Sequence, residues 1–358
     1  MTLPAAMAAA LADQAASCGA LGSPLMERLF RLMATGWAPA GALARRLSAW
    51  PGDLTSRGDS VPLRLGGALH ALVRSGRAPA LAAIYAGHEG FGDGAFLDAV
   101  GETVDHNETF VLGFLDSAPQ TNELRRSVAI IAAAHWLADR IGLPFVLSEL
   151  GASAGANLIW DRYAVATPKG RLGPQEALLT LRPDWRGKAA APGKAPAQGP
   201  HPRVVARAGV DLNPIDPVAG RERLMAYLWA DQPDRLERTA RALDALAADP
   251  PDIARGDAVE WLARRLATPR PGALHLVYHT VAWQYFPAAV QDRGEALLAR
   301  AGAAASATAP LARFAMEADG EGPGAGMMLD LWPGGSRIAL GRVDFHGRWI
   351  DWQAPKTA

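Results

Sequence analysis

The sequence has little cysteine, no net charge and no long apolar run, and each absence excludes a class of protein. Its 358 residues include one cysteine, Cys18, so no internal disulfide framework can form, which is typical of a reducing compartment. Basic and acidic residues number 36 each, so no overall field attracts nucleic acid. No run is long enough to span a membrane, and no basic residue opens the alanine-rich start, Met1 to Ser17, as a signal peptide requires. We expect a cytoplasmic protein without nucleic-acid or membrane partners.

The composition is that of a packed enzyme, with 49% hydrophobic and 20% charged residues, and the length suits one large domain or two ordinary ones. Residues 1–120 form the first predicted region, which is helical. Apolar residues recur there at helical spacing, and no convincing period-two run interrupts them. Ser23 is placed to cap the first of the main helices, with proline following it. The predicted helical segments are Pro24–Met33, Leu63–Val73, Ala78–Tyr85 and Ala95–Leu115.

The rest of the chain is organised around residues 144–158. The apolar run from Phe145 ends at Glu149 and breaks at two glycines, Gly151 and Gly155, before apolar residues resume through Tyr163. This pattern predicts a buried strand, a tight turn and a helix whose N-terminus faces the turn. Glycine lets the backbone approach a ligand closely, and a helix start offers free N–H donors and partial positive charge.

Several interpretations compete for this turn. No lysine follows Gly155, so a phosphate-binding P-loop is excluded, and Leu158 stands where the dinucleotide fingerprint has its third glycine. Residues 151–155 match the Gly-x-Ser-x-Gly nucleophile elbow of serine hydrolases around Ser153. A further interpretation is the first motif of S-adenosylmethionine-dependent methyltransferases, in which an acidic residue precedes the first glycine by two places, as Glu149 does, although those proteins usually have glycine at the position of Ser153. A strand–helix turn without a ligand is a further possibility.

A long helix, 122–141, is predicted to lead into this strand. If the helix packs antiparallel to the strand, its start lies beside the glycine turn, at the edge where open α/β sheets bind ligands. Thr121 or Asn122 could equally cap the helix. The candidates for substrate or cofactor contact are Gln120, Thr121, Asn122 and Arg125.

An insertion, about 164–203, separates this strand from the next, and its Lys188–Pro202 part has the composition of a solvated segment. The second strand, 204–211, ends in Asp211, where such folds bind ribose hydroxyls. The spacing from Gly151 is 211 − 151 = 60 residues, against about 20 without an insertion. Asp211 could instead cap the turn that follows it.

Strands and helices alternate over the remaining residues. Helices are predicted at 221–230, 234–248 and from Asp257 onward, a short strand and turn at 253–258, a buried strand at 273–280 and a helix at 288–300. Residues 311–317 follow, and 327–332 and 337–344 form a terminal strand pair. The fold class is therefore α/β, a mostly parallel sheet flanked by helices in a domain at 121–358, preceded by the N-terminal helical region.

This order resembles the Rossmann-like methyltransferase fold, in which a terminal antiparallel hairpin ends the sheet. The chain is also similar over most of its length to an uncharacterised bacterial family, domain of unknown function 2332 (DUF2332), to which no activity is assigned. That resemblance rests on Gln120-Thr121-Asn122-Glu123, Glu149-x-Gly151-Ala152-Ser153-Ala154-Gly155-x-Asn157-Leu158, Asp161-Arg162-Tyr163, Gly209-Val210-Asp211-Leu212-Asn213-Pro214 and Gly256-Asp257-Ala258.

The methyltransferase resemblance implies S-adenosylmethionine as cofactor and a small-molecule acceptor. Glu149 and the glycines would form the methionine-side turn, with Ser153 replacing the usual middle glycine. Asp211 would hold the ribose, and Asp257 would meet the adenine. His279 would face the methyl group and serve as a base if the acceptor must lose a proton. The implied cofactor-binding residues are Glu149, Gly151, Ala152, Ser153, Gly155, Asn157, Asp211, Leu212, Asn213, Asp257, Ala258, His279 and Thr280.

Two other functions stay open. A serine hydrolase would use Ser153 with Asp257 or Asp330 and with His279 or His346, although an α/β hydrolase needs several strands before its elbow, and residues 5–120 supply none. A ligand-binding protein could keep the fold without the chemistry. No metal site is predicted, since His275 and His279 on one strand lie about 13 Å apart. The sequence leaves the acceptor and the oligomeric state open.

Overall fold

The computed structural model describes residues 3–120, 122–187 and 201–355, and the chain forms two compact units. The first unit comprises Met1–Thr121 and Ala219–Ala240, and the second comprises Asn122–Val218 and Arg241–Ala358. In the described ranges, no helix has both the length and the apolar character needed to cross a bilayer.

The first unit is helical, and its helices share one apolar core. Ser23 caps the second helix as predicted, because its hydroxyl accepts a hydrogen bond from Met26 N at 3.3 Å. The helix predicted at Ala95–Leu115 is interrupted at Asn107 and forms two helices. The Asn107 side-chain amide donates to Thr103 O at 2.8 Å, and the Asn107 backbone is not helical. The helices are α1 (Ala5–Ala20), α2 (Pro24–Gly36), α3 (Gly41–Ser48), α4 (Val61–Arg74), α5 (Pro79–Ala86), α6 (Asp93–His106) and α7 (Glu108–Leu115). A further helix of this unit, α9 (Arg221–Ala226), comes later in the chain, after several strands of the second unit.

The second unit contains a large mixed sheet of nine strands. The parallel strands pair over apolar, buried residues, and the last strands form an antiparallel meander. The strands are β1 (Phe145–Leu150), β5 (Asp184–Trp185), β6 (Val204–Asp211), β7 (Asp252–Arg255), β8 (Leu274–Thr280), β9 (Leu311–Glu317), β10 (Ala325–Trp332), β11 (Ser336–Val343) and β12 (Trp349–Trp352).

The strand order is β5-β12-β11-β10-β9-β8-β1-β6-β7, and β1 is the middle strand of the parallel part, with β8 and β9 on one side and β6 and β7 on the other. From β1 the chain first builds outward through β6 and β7, then returns to the other side of β1 with β8 and β9. The order thus reverses at β1, which makes the carboxyl edge between β1 and β8 a topological switch point. The predicted mostly parallel sheet and its terminal antiparallel pair are confirmed.

Helices flank this sheet. They are α8 (Ser127–Ile141), α10 (Pro233–Ala248), α11 (Ala258–Leu266) and α12 (Ala288–Ala303), and the boundary between the two units falls within α10. Apolar side chains of α11 and α12, such as Trp261 and Leu298, pack with Val277 of β8. The predicted helix at 122–141 begins instead with a 3-10 turn, Leu124–Arg126, and is α-helical from Ser127.

The helix predicted after the glycine turn does not form. Residues 151–159 make successive tight turns, followed by a 3-10 turn, Trp160–Arg162, and by β2 (Tyr163–Thr167). The Tyr163 hydroxyl takes the Ala156 carbonyl at 2.9 Å, and Leu158 N bonds to Gly155 O at 2.9 Å in a three-residue step. Positive φ at Ser153 also breaks helical geometry. Tertiary pairing of Tyr163 therefore overrides the helical spacing of the apolar residues.

The described part of the predicted insertion contains short strands. Its first part forms a three-stranded sheet in the order β3-β2-β4, with β3 (Gly170–Leu172) and β4 (Leu179–Leu181) on either side of β2, and then β5 at the edge of the large sheet. The solvated segment predicted at 188–202 lies, up to residue 200, outside the described residues.

Candidate functional site

Three acidic residues lie at or just after the ends of neighbouring parallel strands, at the carboxyl edge of the sheet. Glu149 is in β1, Asp211 ends β6, and Asp257 comes two residues after β7. A backbone bond from Gly256 N to Asp211 O, 3.0 Å long, joins the ends of β6 and β7. Because parallel strands share this edge, the structure brings these three predicted residues to the same side of the sheet.

Glu149 is 1% exposed, and its Oε2 has no hydrogen-bond partner in the described part of the chain. Burial raises the pKa of its carboxyl well above the ordinary value, and the nearby Asp211 raises it further, while Arg126 and Tyr278 act in the opposite direction. A buried polar oxygen without a partner is costly. Glu149 is therefore a group that a ligand donor would stabilise.

The two turn glycines are required by packing within the protein. Gly151 has φ +76°, and a Cβ placed there would lie 2.7 Å from the Cβ of Ala282, in the loop after β8. Gly155 has φ +87°, and its Cβ would lie 2.8 Å from Pro251 Cγ, just before β7. Protein atoms thus occupy the space that the sequence analysis assigned to a ligand beside each glycine.

Ser153 has a left-handed backbone, with φ +52°, and its buried hydroxyl has no hydrogen-bond partner in the ranges that the structure describes. Its N–H donates to Asp211 Oδ2 at 2.9 Å, and its carbonyl accepts from Ile215 N at 3.3 Å. A non-glycine residue with positive φ is uncommon. The preceding Ala152 is fully buried, with its Cβ directed toward Gly209 of β6.

Asp211 fastens two turns together. One carboxylate oxygen accepts from Ser153 N, and the other accepts from Asn213 N at 2.8 Å. The capping role considered for Asp211 is therefore present, and it extends to the glycine turn. The neighbouring Leu212 is 68% exposed, and Asn213 Oδ1 accepts from Arg255 Nη1 at 2.9 Å.

Asp257 is the N-cap of α11, whose first residue is Ala258. Its Oδ1 accepts from Val259 N and Glu260 N, both at 2.9 Å, which satisfies two free donors of the helix start. Its Oδ2 lies 4.0 Å from Arg293 Nη2. The helix predicted to begin at Asp257 is therefore confirmed.

Both ring nitrogens of His279 are occupied by protein. Nδ1 lies 2.7 Å from Glu317 Oε1, and Nε2 accepts from Arg313 Nε at 3.0 Å. The ring is fully buried and stacks on Trp283, with centroids 5.0 Å apart. Burial is the main cause that lowers its pKa. Since neither nitrogen is available to a ligand in this arrangement, the structure argues against the base role predicted for His279.

The loop after β8 is held by the same cluster. Glu317 accepts hydrogen bonds from the backbone N–H groups of Ala282, Trp283 and Gln284, at 3.1 to 3.3 Å. Thr280 is buried, and its carbonyl accepts from Arg126 Nη1 at 3.0 Å.

The start of the helical segment before β1 contacts the glycine turn. Asn122 Oδ1 accepts from Ala156 N at 2.7 Å, so Asn122 bonds to the turn and does not cap its own helix. Asn157 bonds on both sides of its amide, to Ser127 Oγ at 2.7 Å and to Glu123 O at 3.3 Å. The geometry predicted for this helix start is present at Asn122.

The other contact candidates are placed less directly. Arg125 N donates to Glu123 Oε1 at 3.1 Å, which caps the 3-10 turn. Gln120 belongs to the first unit, and Thr121 lies outside the described residues.

Sequence reasoning missed Arg126, Tyr278 and Glu317. Arg126 is close enough to Glu149 to lower its pKa, and the Tyr278 hydroxyl donates to Asn157 O at 3.0 Å. The register pairs Glu149 with Tyr278 across β1 and β8. Only an expected adjacency of β1 and β8 could have pointed to Tyr278, and no local pattern marks Arg126 or Glu317.

Comparisons with known proteins identify a family and no individual relative. Neither the curated proteins nor the solved structures gave a match to this chain. One family model, described as an uncharacterized protein conserved in bacteria (DUF2332), matches residues 8–352. Since that match covers nearly the whole of the 358 residues, the chain belongs to the DUF2332 family.

Proposed function

We propose that this chain binds S-adenosylmethionine at the carboxyl edge of β1, β6 and β7 and is a methyltransferase-like enzyme for a small molecule. The observation that carries the proposal is the buried Glu149 oxygen without a partner among the described residues, at the sheet edge where Asp211 ends the adjacent β6 and Asp257 follows β7. A cation with hydroxyl and ammonium donors suits such a cluster, because each donor would offset the cost of a buried acceptor. The reversal of strand order at β1 supports the same edge.

The packing around the glycines limits where this ligand lies. Ala282 fills the space beside Gly151, so the ligand would occupy the side of the turn that faces Asp211. Glu149 would receive a donor from the ligand, and Asp211 would use its remaining lone pairs for ribose hydroxyls. Asp257 Oδ2, which is not used in the helix cap, would meet the adenine amino group.

The engagement of His279 shapes the chemistry proposed. Methyl transfer needs alignment of acceptor, methyl and leaving sulfur, and positioning supplies much of its rate. Without a base at His279, we propose an acceptor that attacks through a neutral nitrogen or sulfur lone pair and loses any proton afterwards.

The test is calorimetry with S-adenosylmethionine and S-adenosylhomocysteine on the full chain. We expect binding to the wild type and a loss of about tenfold or more in Glu149→Gln, consistent with a lost charged hydrogen bond. Asp257→Asn is the matched test of the adenine contact, since asparagine also caps helices and α11 should stay folded. Exposed Glu176→Gln is the control and should bind as the wild type does. No heat and no thermal shift with either compound would contradict the proposal.

A serine hydrolase is the second candidate, favoured by the strained backbone and partnerless hydroxyl of Ser153. Against it, no imidazole bonds to that hydroxyl among the described residues, and both nitrogens of His279 are in use. A fluorophosphonate probe separates the two: labelling of the wild type that Ser153→Ala abolishes would establish the hydrolase. Cofactor binding without methyl transfer to any acceptor would instead favour a ligand-binding protein.

A further inference from the structure

The second unit has a cavity of about 180 Å³ between α8 and the small sheet. Its walls are mostly apolar, with Ile131 on α8, the rings of Trp160 and Tyr163, and prolines at its margin. The Tyr163 hydroxyl is already bonded to Ala156 O, and so it offers no hydrogen bond to a ligand. The cavity lining includes none of the three acidic residues of the candidate site, Glu149, Asp211 and Asp257, so the cavity is a separate feature of the unit.

The polar side chain that α8 presents to this cavity makes no hydrogen bond to the described residues. His135 lies one helical turn after Ile131 on α8, lines the cavity and is 5% exposed. In the described part of the chain its ring makes no hydrogen bond, and it packs edge to face on the ring of His201, with the ring centroids 5.7 Å apart. Burial, with a smaller contribution from His201, lowers the pKa of His135 to about 4. At neutral pH its ring therefore offers one N–H donor and one acceptor nitrogen, and no hydrogen bond from the described residues uses either.

Charged ligands and metal ions do not fit. The Asp161 carboxylate at the cavity is paired with Arg207 through both oxygens, at 2.7 and 2.9 Å, so its charge is already balanced. Within the described residues, no group of three metal-ligating side chains includes the two histidines. What is left is a mostly apolar space whose neutral hydrogen-bonding groups are the His135 and His201 rings and the Trp160 indole N–H, which is buried without a partner among the described residues.

The volume sets the size of the occupant. An apolar protein cavity of about 150 Å³ holds one benzene molecule, so this cavity has room for one aromatic ring with a small substituent. The Trp160 and Tyr163 rings favour a planar aromatic partner. We propose that this cavity is a second binding site, for an uncharged single-ring aromatic molecule whose hydroxyl or ring N–H bonds to His135.

The experiment titrates phenol and benzene into the full chain by calorimetry and ligand-observed NMR. The wild type should bind both probes, and phenol more tightly. His135→Phe keeps the ring volume and removes the nitrogens, so it should weaken phenol binding about tenfold and benzene binding less than twofold. Ile131→Trp fills the cavity and should abolish binding of both. Thermal melting verifies that each variant is folded, and His201→Trp at the exposed rim replaces Ile131→Trp if that variant does not fold.

The outcomes separate this site from the proposed cofactor site. Glu149→Gln should bind phenol as the wild type does, whatever it does to S-adenosylmethionine. The proposal is overturned if neither probe binds, if the cavity-filling variant binds both as before, or if His135→Phe weakens phenol and benzene equally.

Discussion

At the scale of single residues, Glu149 makes stability depend on pH. Its folded pKa is raised above the unfolded value, about 4.3, so ionising it opposes folding. Below the unfolded pKa the side chain is neutral in both states and does not oppose folding. As the pH rises above the unfolded pKa, toward and through the folded pKa, stability is lost. Glu149→Gln should therefore raise the free energy of unfolding by about 1–2 kcal/mol at pH 8, with little change at pH 4. Urea unfolding at the two pH values measures this.

The control for Glu149 is the exposed Glu176→Gln, which should not alter the pH dependence. If Glu149→Gln destabilised the protein equally at both pH values, the carboxyl would be making a hydrogen bond that the fold needs. That result would also weaken the proposed cofactor site, which depends on an unsatisfied oxygen.

At the scale of elements, the turn after β1 and the loop after β8 come close together where Gly151 faces the Cβ of Ala282. Gly151→Ala should cost about 2–4 kcal/mol, because it combines a positive φ with a Cβ 2.7 Å from Ala282. Gly142→Ala is the matched control, since Gly142 has φ +66° at the end of α8 with nothing within 4 Å of the added Cβ. We expect that control to cost about 1 kcal/mol. Thermal melting gives both values.

The double variant Gly151→Ala with Ala282→Gly isolates the clash from the backbone strain. Its stability should exceed that of Gly151→Ala by the difference in unfolding free energy between Gly151→Ala and Gly142→Ala. The reason is that it removes the colliding methyl group of Ala282 and keeps the strained φ. A double variant no more stable than Gly151→Ala alone would place the cost entirely in the backbone.

The loop after β8 depends on a single carboxylate. Glu317 accepts from three successive backbone amides and from His279, so Glu317→Ala leaves several buried donors without an acceptor. We expect a loss of about 2–4 kcal/mol. Hydrogen exchange should show lower protection at Ala282, Trp283 and Gln284, with the strand amides of β1 less affected. Unchanged protection in the loop would mean that other contacts hold it.

At the scale of the whole molecule, the lone cysteine reports on unfolding. Cys18 is fully buried in the core of the first unit, and burial raises the pKa of its thiol to about 12. With so little thiolate, reaction with a disulfide reagent at pH 8 should be at least about a thousandfold slower than for a free cysteine. Labelling across a urea series should therefore follow unfolding of the first unit. Rapid labelling in the absence of urea would contradict this burial.

The sequence by itself determined the regular elements and their class. Apolar spacing located α2, α4 and α5 and the strands β1, β6, β8, β10 and β11, since burial of one face imposes that periodicity, whereas the short α3, β5 and β12 were not predicted. The cap at Ser23, the helix start at Asp257 and the contact of the 122–126 segment with the glycine turn followed from local chemistry or simple geometry.

Only the tertiary structure decided how the residues at the carboxyl edge are used. The helix expected after Gly155 was lost because Tyr163 pairs in a strand and takes a carbonyl that a helix would need. His279 is not available to a ligand because its two ring nitrogens are bonded to Glu317 and Arg313, which are 38 and 34 residues away in sequence. The space beside Gly151 is occupied by Ala282 and the space beside Gly155 by Pro251, again from distant segments. Local patterns fix which residues are buried, but the partner of each buried group comes from chain segments whose proximity exists only in the folded protein.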